Sequence, residues 1–257
     1  MLLAIDIGNS STKFAIYDGE SLFHKFAVQT NRDYTAEELL FDRLKLYEDQ
    51  FIQVDIDTCL VASVVPDLNG VIAQVCRELF HITPQLVDST WDFGFTIDYD
   101  PPSSVGADRL VNAFAAVSQF GSPVVVCSFG TATTIDVVDA ENTYVGGIIA
   151  PGMATAAKAL ELATSKLPTV KIEKPEGLIG KTTVSSMQSG IVYGHVAMVK
   201  GLLERLEGVG KVVATGGFAN LIAPEVSAID VVDENLTLEG LRLLALRGSV
   251  HRLASVH

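Results

Sequence analysis

The chain has 257 residues and a formal net charge of −13 at pH 7, and 48% of its residues are hydrophobic. This length and apolar content indicate one or two globular domains and exclude a disordered chain. The negative charge argues against a surface that binds DNA or RNA, and the apolar runs are too short to span a bilayer.

The start of the sequence and its cysteines predict a cytoplasmic protein. The sequence opens directly on a strand pattern, without the basic segment and cleavage site of an export signal. The cysteines are odd in number and lie in apolar or helical stretches, as is typical of reduced core residues: Cys59, Cys76 and Cys127. The histidines show no metal-ligand spacing, so a zinc site is not expected.

The N-terminal residues predict a β-hairpin with a polar turn. Two apolar runs flank residues 6–13, a pattern typical of strand, tight turn and strand. Gly8 lets the backbone come close to a ligand, and Asn9–Thr12 offer hydroxyl, amide and main-chain N–H donors. Lys13 adds positive charge, and Asp6 is placed to hold a cation. The stretch is either an ordinary turn or a phosphate-binding turn.

The rest of the first half predicts a mixed sheet with helices packed on it, because strands and helices alternate after the hairpin. The predicted elements are a strand at Ser21–Val28, a helix from the capping box at Thr35 to about Glu48, a strand at Cys59–Val64, a helix at Pro66–Phe80 and a short strand at Pro84–Val87. A loop at residues 100–104 leads into a helix from about Val105 to Gln119.

Residues 106–109 have two interpretations. In the first, Ser104 caps a helix and Asp108 is favoured near the positive end of the helix dipole. In the second, Asp108 is a base that orients a substrate hydroxyl toward a γ-phosphate, and Arg109 binds an anionic group. Phosphoryl transfer suits such a base because its loose transition state needs positioning more than strong proton abstraction.

The pattern of the N-terminal hairpin recurs in the second half of the chain. Residues 128–139 repeat its layout, with Gly130 in the place of Gly8 and Thr134 in the place of Thr12. Two such hairpins, one in each half, predict a duplicated domain with a ligand between the copies.

The second half predicts further elements and a third glycine turn. After the hairpin come a strand at Tyr144–Ile149, a helix at Met153–Leu162, an exposed connection at residues 165–180, a helix at about Val184–Glu207, strands at Lys211–Ala214 and Val226–Val232 and a helix at Leu236–Leu246. Gly216-Gly217, between a strand and a short helix, would let a flat adenine approach the backbone. The boundary is predicted near residues 121–123, which gives domains of residues 1–120 and 121–257.

Several motifs together resemble one known family. The segments DIGNSSTK, YDPPSSVGADR, SFGTATT, GGIIAPG, GKTTVSSMQSGI and ATGGFA are similar, in this order, to those of type III pantothenate kinases, and the resemblance covers nearly the whole chain. That family belongs to the acetate kinase, sugar kinase, Hsc70 and actin superfamily. The resemblance implies an α/β homodimer whose chains have two ribonuclease H-like (actin-like ATPase) domains, each a mixed sheet with helices, and a ligand cleft between them. It also implies phosphorylation of pantothenate to 4′-phosphopantothenate by ATP with Mg²⁺, the first step of coenzyme A synthesis.

The resemblance further implies roles for particular residues. Binding of ATP falls to Asp6, Gly8, Asn9, Ser10, Ser11, Thr12, Lys13, Gly130, Thr131, Gly216 and Gly217, with Asp6 at the Mg²⁺ ion. Binding of pantothenate falls to Tyr99, Gly106, Ala107, Asp108, Arg109 and, across the dimer, Thr183. Asp108 is implied as the catalytic proton acceptor.

One position departs from the family pattern. The second hairpin of the family begins with an aspartate, in the pattern DxGTAxT, that holds a monovalent cation such as K⁺ or NH₄⁺, and here that position is Ser128. A serine at this position is either a polar strand end or a weakened cation ligand, because a hydroxyl brings no charge to offset cation dehydration. Little or no dependence on K⁺ or NH₄⁺ is therefore predicted.

Two alternatives stand beside an active pantothenate kinase. One is a catalytically impaired paralogue that binds nucleotide or pantothenate and acts as a regulator, which Ser128 favours. The other is a related sugar kinase or phosphatase, in which the GADR and MQSGI segments have no role. The presence of Asp6, Asp108 and Arg109 favours the pantothenate kinase.

Overall fold

The computed structural model of the protein describes residues 1–39, 54–208 and 210–254. The backbone divides into two compact units. The first comprises Met1–Phe95, Tyr99–Ser118 and Leu236–His257, and the second comprises Thr96–Asp98 and Gln119–Asn235.

The first unit contains a five-stranded mixed sheet in the order β3-β2-β1-β4-β5. Its first elements are β1 (Leu2–Ile7), β2 (Ser11–Asp18), β3 (Ser21–Gln29), α1 (Ala36–Glu38), β4 (Thr58–Ser63), α2 (Pro66–Phe80) and β5 (Gln85–Leu86). All six residues of β1 are buried, because this central strand pairs with β2 on one side and with β4 on the other. Leu3, Ile5 and Ile7 pack with residues of α2 in one apolar core.

The second unit contains a six-stranded mixed sheet in the order β11-β10-β7-β8-β9-β6. After β6 (Thr96–Ile97) the chain forms α3 (Ala107–Phe120), which belongs to the first unit, and then β7 (Val124–Phe129), β8 (Ala132–Val138), β9 (Thr143–Pro151), α4 (Met153–Ala163), α5 (Thr183–Leu203), β10 (Lys211–Thr215), α6 (Ala219–Ile222) and β11 (Val231–Val232). The core of this unit joins the sheet to α5, with Cys127 and Ile135 in the same apolar cluster as Ile191 and Val199.

The two sheets repeat one topology. In each, an antiparallel meander is extended on its first strand by two parallel strands, as β3-β2-β1-β4-β5 and as β9-β8-β7-β10-β11. The predicted fold class, two ribonuclease H-like mixed sheets with helices, is therefore confirmed. The short strand β6 is an addition at the edge of the second sheet, where it pairs with β9.

The register of the two hairpins corrects one detail of the predicted match. In the first hairpin, Thr12 pairs with the residue before Gly8. In the second hairpin, Thr133 pairs with the residue before Gly130. Thr133, and not Thr134, is therefore the counterpart of Thr12. The prediction was one residue out because the second turn is one residue shorter than the first.

The C-terminal helix, α7 (Leu236–Ala254), packs in the first unit. It contacts β1 and β4, and its Leu238 and Leu241 are buried. A Cβ atom at Gly240 would lie 2.6 Å from the carbonyl oxygen of Val111. The glycine therefore allows α7 to lie directly against α3.

The compact units differ from the domains predicted along the sequence. The backbone changes unit at Ser118–Gln119, close to the predicted boundary after residue 120, but α7 belongs to the first unit and β6 to the second. A single boundary in the sequence cannot separate the two units, because the apolar face of α7 is buried on a sheet formed by the opposite end of the chain.

Some predicted elements have different bounds in the structure. The strand predicted at Val226–Val232 is limited to the two residues of β11. The helix predicted from Thr35 begins as expected, with both capping-box hydrogen bonds between Thr35 and Glu38, but its predicted continuation to Glu48 lies outside the described residues. Within the described ranges, no helix is both long enough and apolar enough to cross a membrane.

Candidate functional site

The turn of the first hairpin is held in place by the segment that follows β3. The main-chain N–H of Gly8 donates to the carbonyl oxygen of Ser11 at 3.1 Å and closes the turn. The hydroxyl of Thr30 donates to the carbonyl oxygen of Gly8 at 2.7 Å and lies 2.9 Å from the hydroxyl of Thr12. The residues at the tip, Asn9–Ser10, are exposed. The turn therefore presents its polar groups to solvent in a fixed shape.

A guanidinium group lies at the tip of the same turn. Arg32 Nη2 donates to Asn9 Oδ1 at 2.8 Å, and the main-chain N–H of Thr30 donates to the carbonyl oxygen of Ser10 at 3.1 Å. The loop after β3 is thus tied to the turn by its backbone and by an exposed basic side chain.

Asp6 lies near the end of β1, and only 8% of its surface is exposed. Asp6 and Lys13 are paired across β1 and β2, and Lys13 Nζ lies 3.4 Å from Asp6 Oδ2. Burial raises the pKa of Asp6, and Lys13 opposes that shift through its charge and hydrogen bond. A divalent cation such as Mg²⁺ would give this buried carboxylate further positive charge, so Asp6 fits the predicted metal role.

The carboxylate of Asp108 lies in the first turn of α3, in a position that requires a glycine before it. Asp108 Oδ1 accepts a hydrogen bond from the main-chain N–H of Arg109 at 2.8 Å. A Cβ atom at Gly106 would lie 2.6 Å from that oxygen, so a side chain there would displace the carboxylate. A negative charge is favoured at a helix N-terminus. The carboxylate of Asp108 is therefore held in one position, from which it can orient a hydroxyl.

The predicted cap of this helix is wrong. Ser104 lies in a 3₁₀ turn at Pro102–Ser104, and its hydroxyl donates to the carbonyl oxygen of Pro101 at 2.7 Å. The carbonyl oxygen of Gly106 instead accepts the main-chain N–H of Arg109 at 3.1 Å. The helix-start interpretation therefore loses the capping hydroxyl on which it depended.

Tyr99 and Arg109, both predicted to bind the substrate, meet in the first unit. Arg109 Cζ lies 5.9 Å from the centroid of the Tyr99 ring, which is within the range of a cation–π interaction. Arg109 is 7% exposed, and its neighbour Ala107 is also buried. A buried guanidinium group is uncommon and costly, which favours a functional role for this helix start.

The second hairpin turn, Gly130–Thr131, is held by the start of α4. The main-chain N–H of Gly152 and the hydroxyl of Thr155 both donate to the carbonyl oxygen of Thr131, at 3.1 Å and 2.6 Å. A Cβ atom at Gly152 would lie 2.2 Å from the carbonyl oxygen of Gly130. A glycine is therefore needed where α4 meets the turn.

The third glycine turn lies beside the second hairpin in the same unit. Gly216 has a φ of +92°, and a Cβ atom there would lie 2.6 Å from the carbonyl oxygen of Phe129. That oxygen accepts the main-chain N–H of Phe218 at 3.2 Å. The Cβ position of Gly217 faces open space, which leaves the backbone there accessible to a planar group. Two of the three predicted nucleotide-binding turns are thus adjacent.

A buried histidine of α5 contacts the second hairpin. His195 Nε2 lies 2.7 Å from Thr133 Oγ1, and the His195 ring packs edge-on against Phe129 with 6.5 Å between centroids. Thr12, the counterpart of Thr133, is held by the hydroxyl of Thr30. Burial lowers the pKa of His195 below its usual value of about 6.5, so the imidazole is neutral at pH 7.

The second hairpin lacks the carboxylate that the family pattern places there for a monovalent cation. By register Ser128 is the counterpart of Asp6, and it lies opposite Thr134. The hydroxyl of Thr134 donates to Asp136 Oδ2 at 2.9 Å, and the hydroxyl of Tyr144 donates to Asp136 Oδ1 at 2.6 Å. Because the buried carboxylate of Asp136 is engaged by hydroxyl groups, the paired positions at the turn offer only neutral oxygens.

Thr183 lies in the second unit, as the first residue of α5. Its side chain is exposed, and the residue lies within the capping box formed by Thr182 and Ser185. The other residues predicted to bind pantothenate, Tyr99 and residues 106–109, belong to the first unit.

The sequence interpretation missed several residues that hold the turns. They are Thr30, Arg32, Gly152, Thr155 and His195. Gly152 lies in the segment GGIIAPG, so this motif could have indicated that the glycine belongs to the site. A histidine on the apolar face of a helix gives no such signal, because it cannot be told from a core residue without the structure.

Comparison with known proteins decides the family. Residues 2–205 match the family model for type III pantothenate kinase. The chain belongs to the type III pantothenate kinase family. The type III pantothenate kinase of Halalkalibacterium halodurans is 42% identical over 249 residues, which cover 95% of this chain and 98% of that protein. The one of Citrifermentans bemidjiense is 44% identical over 254 residues, which cover 96% of this chain and 99% of that protein.

A solved structure shares the fold of this type III pantothenate kinase family member. The activator of 2-hydroxyisocaproyl-CoA dehydratase from Clostridium difficile, with bound ADPNP, aligns over 100% of this chain and 98% of its own, with a TM-score of 0.59 and 14% identity. At that identity the likeness concerns the fold alone. It agrees with the duplicated, actin-like topology of the two sheets.

Proposed function

We infer that the chain catalyses the ATP-dependent phosphorylation of pantothenate to 4′-phosphopantothenate, the first step of coenzyme A synthesis. The observation that carries this conclusion is its membership of the type III pantothenate kinase family over nearly the full length of its relatives. The enzyme is a phosphotransferase whose acceptor is an alcohol.

Asp108 is the proposed proton acceptor for the pantothenate hydroxyl. Its carboxylate is oriented by the main-chain N–H of Arg109. It fits there because Gly106 has no side chain to displace it. The guanidinium of Arg109 is the proposed partner of the pantothenate carboxylate, since that pairing is charge-assisted and bidentate. The Tyr99 ring, the backbone of Gly106 and the adjoining Ala107 complete the proposed pantothenate site. A loose transition state needs this positioning more than a strong base.

The proposed ATP site uses the three glycine turns. The first turn binds phosphates through its main-chain N–H groups and polar side chains: Gly8, Asn9, Ser10, Ser11, Thr12 and Lys13. Asp6 holds Mg²⁺, which neutralises charge on the phosphate oxygens when it is bound. Gly130 and Thr131 contact the phosphates from the second hairpin, and Gly216 and Gly217 leave room for adenine. The support is the fixed shape of each turn, which costs no reorganisation on binding.

A monovalent cation is not part of the proposed mechanism. Ser128 brings no charge to the second hairpin, and the hydrogen of the Thr134 hydroxyl is directed to Asp136. Neutral oxygens alone compete poorly with water for K⁺ or NH₄⁺.

The proposed functional unit is a homodimer in which Thr183 contacts the pantothenate bound by the neighbouring subunit. Large apolar side chains are exposed just before and within the start of α5, with Leu178 65%, Ile179 81% and Val184 41% exposed. A groove between α4 and α5 is lined largely by alanine, glycine and other apolar residues. Such a surface is typical of a protein interface. Light scattering should give twice the mass of the chain.

We place the enzyme in the cytoplasm, where its donor ATP is produced. The described cysteines are all free thiols, which agrees with a reducing compartment. A non-catalytic regulator is disfavoured because Asp6, Asp108 and Arg109 are all present, and Ser128 bears on cation use rather than on the proton acceptor.

The activity is tested by measuring ADP release from Mg-ATP with and without pantothenate. We expect release that depends on pantothenate, with 4′-phosphopantothenate identified by mass spectrometry. A hexose serves as the control acceptor, because it tests the sugar kinase alternative. ADP release that pantothenate does not change would refute the assignment.

A further inference from the structure

We propose that Arg32 binds the β- or γ-phosphate of ATP at the tip of the first hairpin turn. The inference rests on the proposed function, because it assigns one more residue to the same nucleotide site. It begins from the geometry of the loop after β3, which the motif pattern did not single out.

The charge balance of the chain calls for a further basic group near the phosphates. The net charge is −13, so a polyphosphate meets an unfavourable field unless basic groups lie close to it. Lys13 is one such group, but its Nζ lies 3.4 Å from Asp6 Oδ2. Because that carboxylate offsets much of the Lys13 charge, the turn gains little net attraction for phosphate from this pair.

Arg32 can supply this positive charge near the phosphates, because its hydrogen bond at the turn is to an amide oxygen and not to a carboxylate. Its Nη2 donates to the neutral amide oxygen of Asn9 at 2.8 Å, and a guanidinium group has further N–H donors to offer a ligand. The side chain is exposed, so those donors are accessible to a nucleotide. The planar fork of N–H groups matches phosphate oxygens in a way that an ammonium group does not.

The loop holds this guanidinium group ready at the turn. Thr30 donates through its main-chain N–H to Ser10 and through its hydroxyl to Gly8, at 3.1 Å and 2.7 Å. Arg32 follows two residues later. The side chain is therefore positioned before the ligand arrives, which reduces the entropy lost on binding.

A purely structural role for Arg32 predicts a different outcome. If Arg32 only ties the loop to Asn9, its loss should lower the affinity for all adenine nucleotides to the same degree. If it contacts the γ-phosphate, its loss should weaken binding of ATP alone, and if it contacts the β-phosphate, its loss should weaken binding of both ATP and ADP. In either case the affinity for AMP should be nearly unchanged. The number of phosphates on the nucleotide thus separates the two roles.

The experiment is calorimetric titration of the full chain with ATP, ADP and AMP in the presence of Mg²⁺. For Arg32→Gln we expect the affinity for ATP or for both ATP and ADP to fall about ten- to hundredfold, with the AMP affinity unchanged. Arg77→Gln is the matched control, because Arg77 is an exposed arginine of α2 in the same unit and its removal changes the net charge equally. Arg32→Lys, which keeps the charge but not the fork, should show an intermediate loss.

Three results would overturn the inference: equal losses for all three nucleotides, an Arg32→Gln variant that binds like Arg77→Gln, or a lower affinity for AMP alone. Failure of the inference and failure of the proposed function give different results in this experiment. If the parent chain binds ATP but does not phosphorylate pantothenate, the proposed function fails and the phosphate contact is still measured. If the parent phosphorylates pantothenate and Arg32→Gln binds ATP normally, the inference alone fails.

Discussion

At the scale of single residues, the two hairpins of this duplicated fold differ in charge. The first places Asp6 opposite Lys13, whereas the second places Ser128 opposite Thr134. These two pairs occupy equivalent register positions, so the difference in charge at this position comes from the side chains. This difference supports the proposal that Asp6 holds the metal of the bound nucleotide and that the second turn makes only neutral contacts with a phosphate.

Replacing Asp108 by asparagine should preserve the fold and lower turnover about 10²- to 10⁴-fold, because the amide cannot accept the hydroxyl proton. Asp67→Asn is a matched control, since Asp67 is likewise the second residue of a helix and is exposed. Steady-state rates of ADP release test both variants. An Asp108→Asn turnover within about threefold of the parent would contradict the assignment.

Potassium should stimulate the enzyme little or not at all, because Ser128 supplies no negative charge to a cation that must lose water. The measurement is ADP formation in potassium chloride and in a matched choline salt. We expect equal rates for the parent. A several-fold stimulation by potassium would mean that other oxygens complete a cation site and that the inference from Ser128 is wrong. Activity that appears only in Ser128→Asp with potassium would favour the impaired paralogue.

His195 should make the stability of the fold depend on pH. Burial lowers the pKa of His195 in the folded state, so below about pH 6.5 the unfolded state binds more protons than the folded state. The free energy of unfolding therefore decreases as the pH is lowered. Melting temperatures between about pH 7.5 and 5.5 should fall more steeply in the parent than in His195→Gln, which keeps a hydrogen bond to Thr133. His24→Gln, on β3, is the control. Equal slopes in all three proteins would contradict this role.

At the scale of elements, close backbone contacts determine how the helices hold the site. The N-terminus of α3 carries Asp108, and α3 is packed against α7 at Gly240. A hydrogen bond of 2.8 Å from the hydroxyl of Thr237 to Asn112 Oδ1 joins the same two helices in a buried environment. The position of the proposed proton acceptor thus depends on a helix from the far end of the sequence.

Gly240→Ala should destabilise the fold by about 1–3 kcal/mol, because the added Cβ would lie 2.6 Å from the carbonyl oxygen of Val111. Gly248→Ala is the control within α7. Among the described residues, nothing beyond its chain neighbours and the adjacent backbone of α7 lies within 4 Å of its Cβ position, so the better helix propensity of alanine should stabilise the fold by up to about 1 kcal/mol. Urea denaturation measures both changes. A Gly240→Ala variant that is as stable as Gly248→Ala would show that the contact with α3 is unimportant.

At the scale of the whole molecule, each compact unit has its own sheet and its own core. Chain order and unit membership do not coincide, because α7 returns to the first unit after the second is complete. The first unit therefore cannot complete its core until the C-terminal residues are present. Its Leu236, Leu238, Leu241 and Leu244 are all buried.

A chain that ends at Asn235 should not form a stable first unit. Loss of the four buried leucines of α7 would remove about 6–12 kcal/mol of apolar burial, which is comparable with the whole stability of a domain, about 5–15 kcal/mol. Limited proteolysis should cut the truncated chain within residues 1–118 while fragments of the second unit persist. Protection of residues 1–118 equal to that in the full chain would refute this dependence.

Local signals explain which parts of the fold could be predicted. Helix α2 has the predicted bounds, Pro66–Phe80, because proline at its first position and an apolar periodicity mark it clearly. The capping box at Thr35 is likewise present. The cap assigned to Ser104 was wrong because a serine near a proline turn is equally able to bond back to the loop carbonyl.

The sequence by itself determined the two polar hairpins, the duplicated α/β architecture and the family, since these depend on short motifs and on periodicity within a few residues. Only the tertiary structure decided that α7 completes the first unit, that Thr133 is the counterpart of Thr12, and that Arg32 and His195 lie at the turns. These facts depend on contacts between residues far apart in the chain, on strand register and on turn length. Such contacts are selected by packing and burial of the whole fold, so no local pattern encodes them.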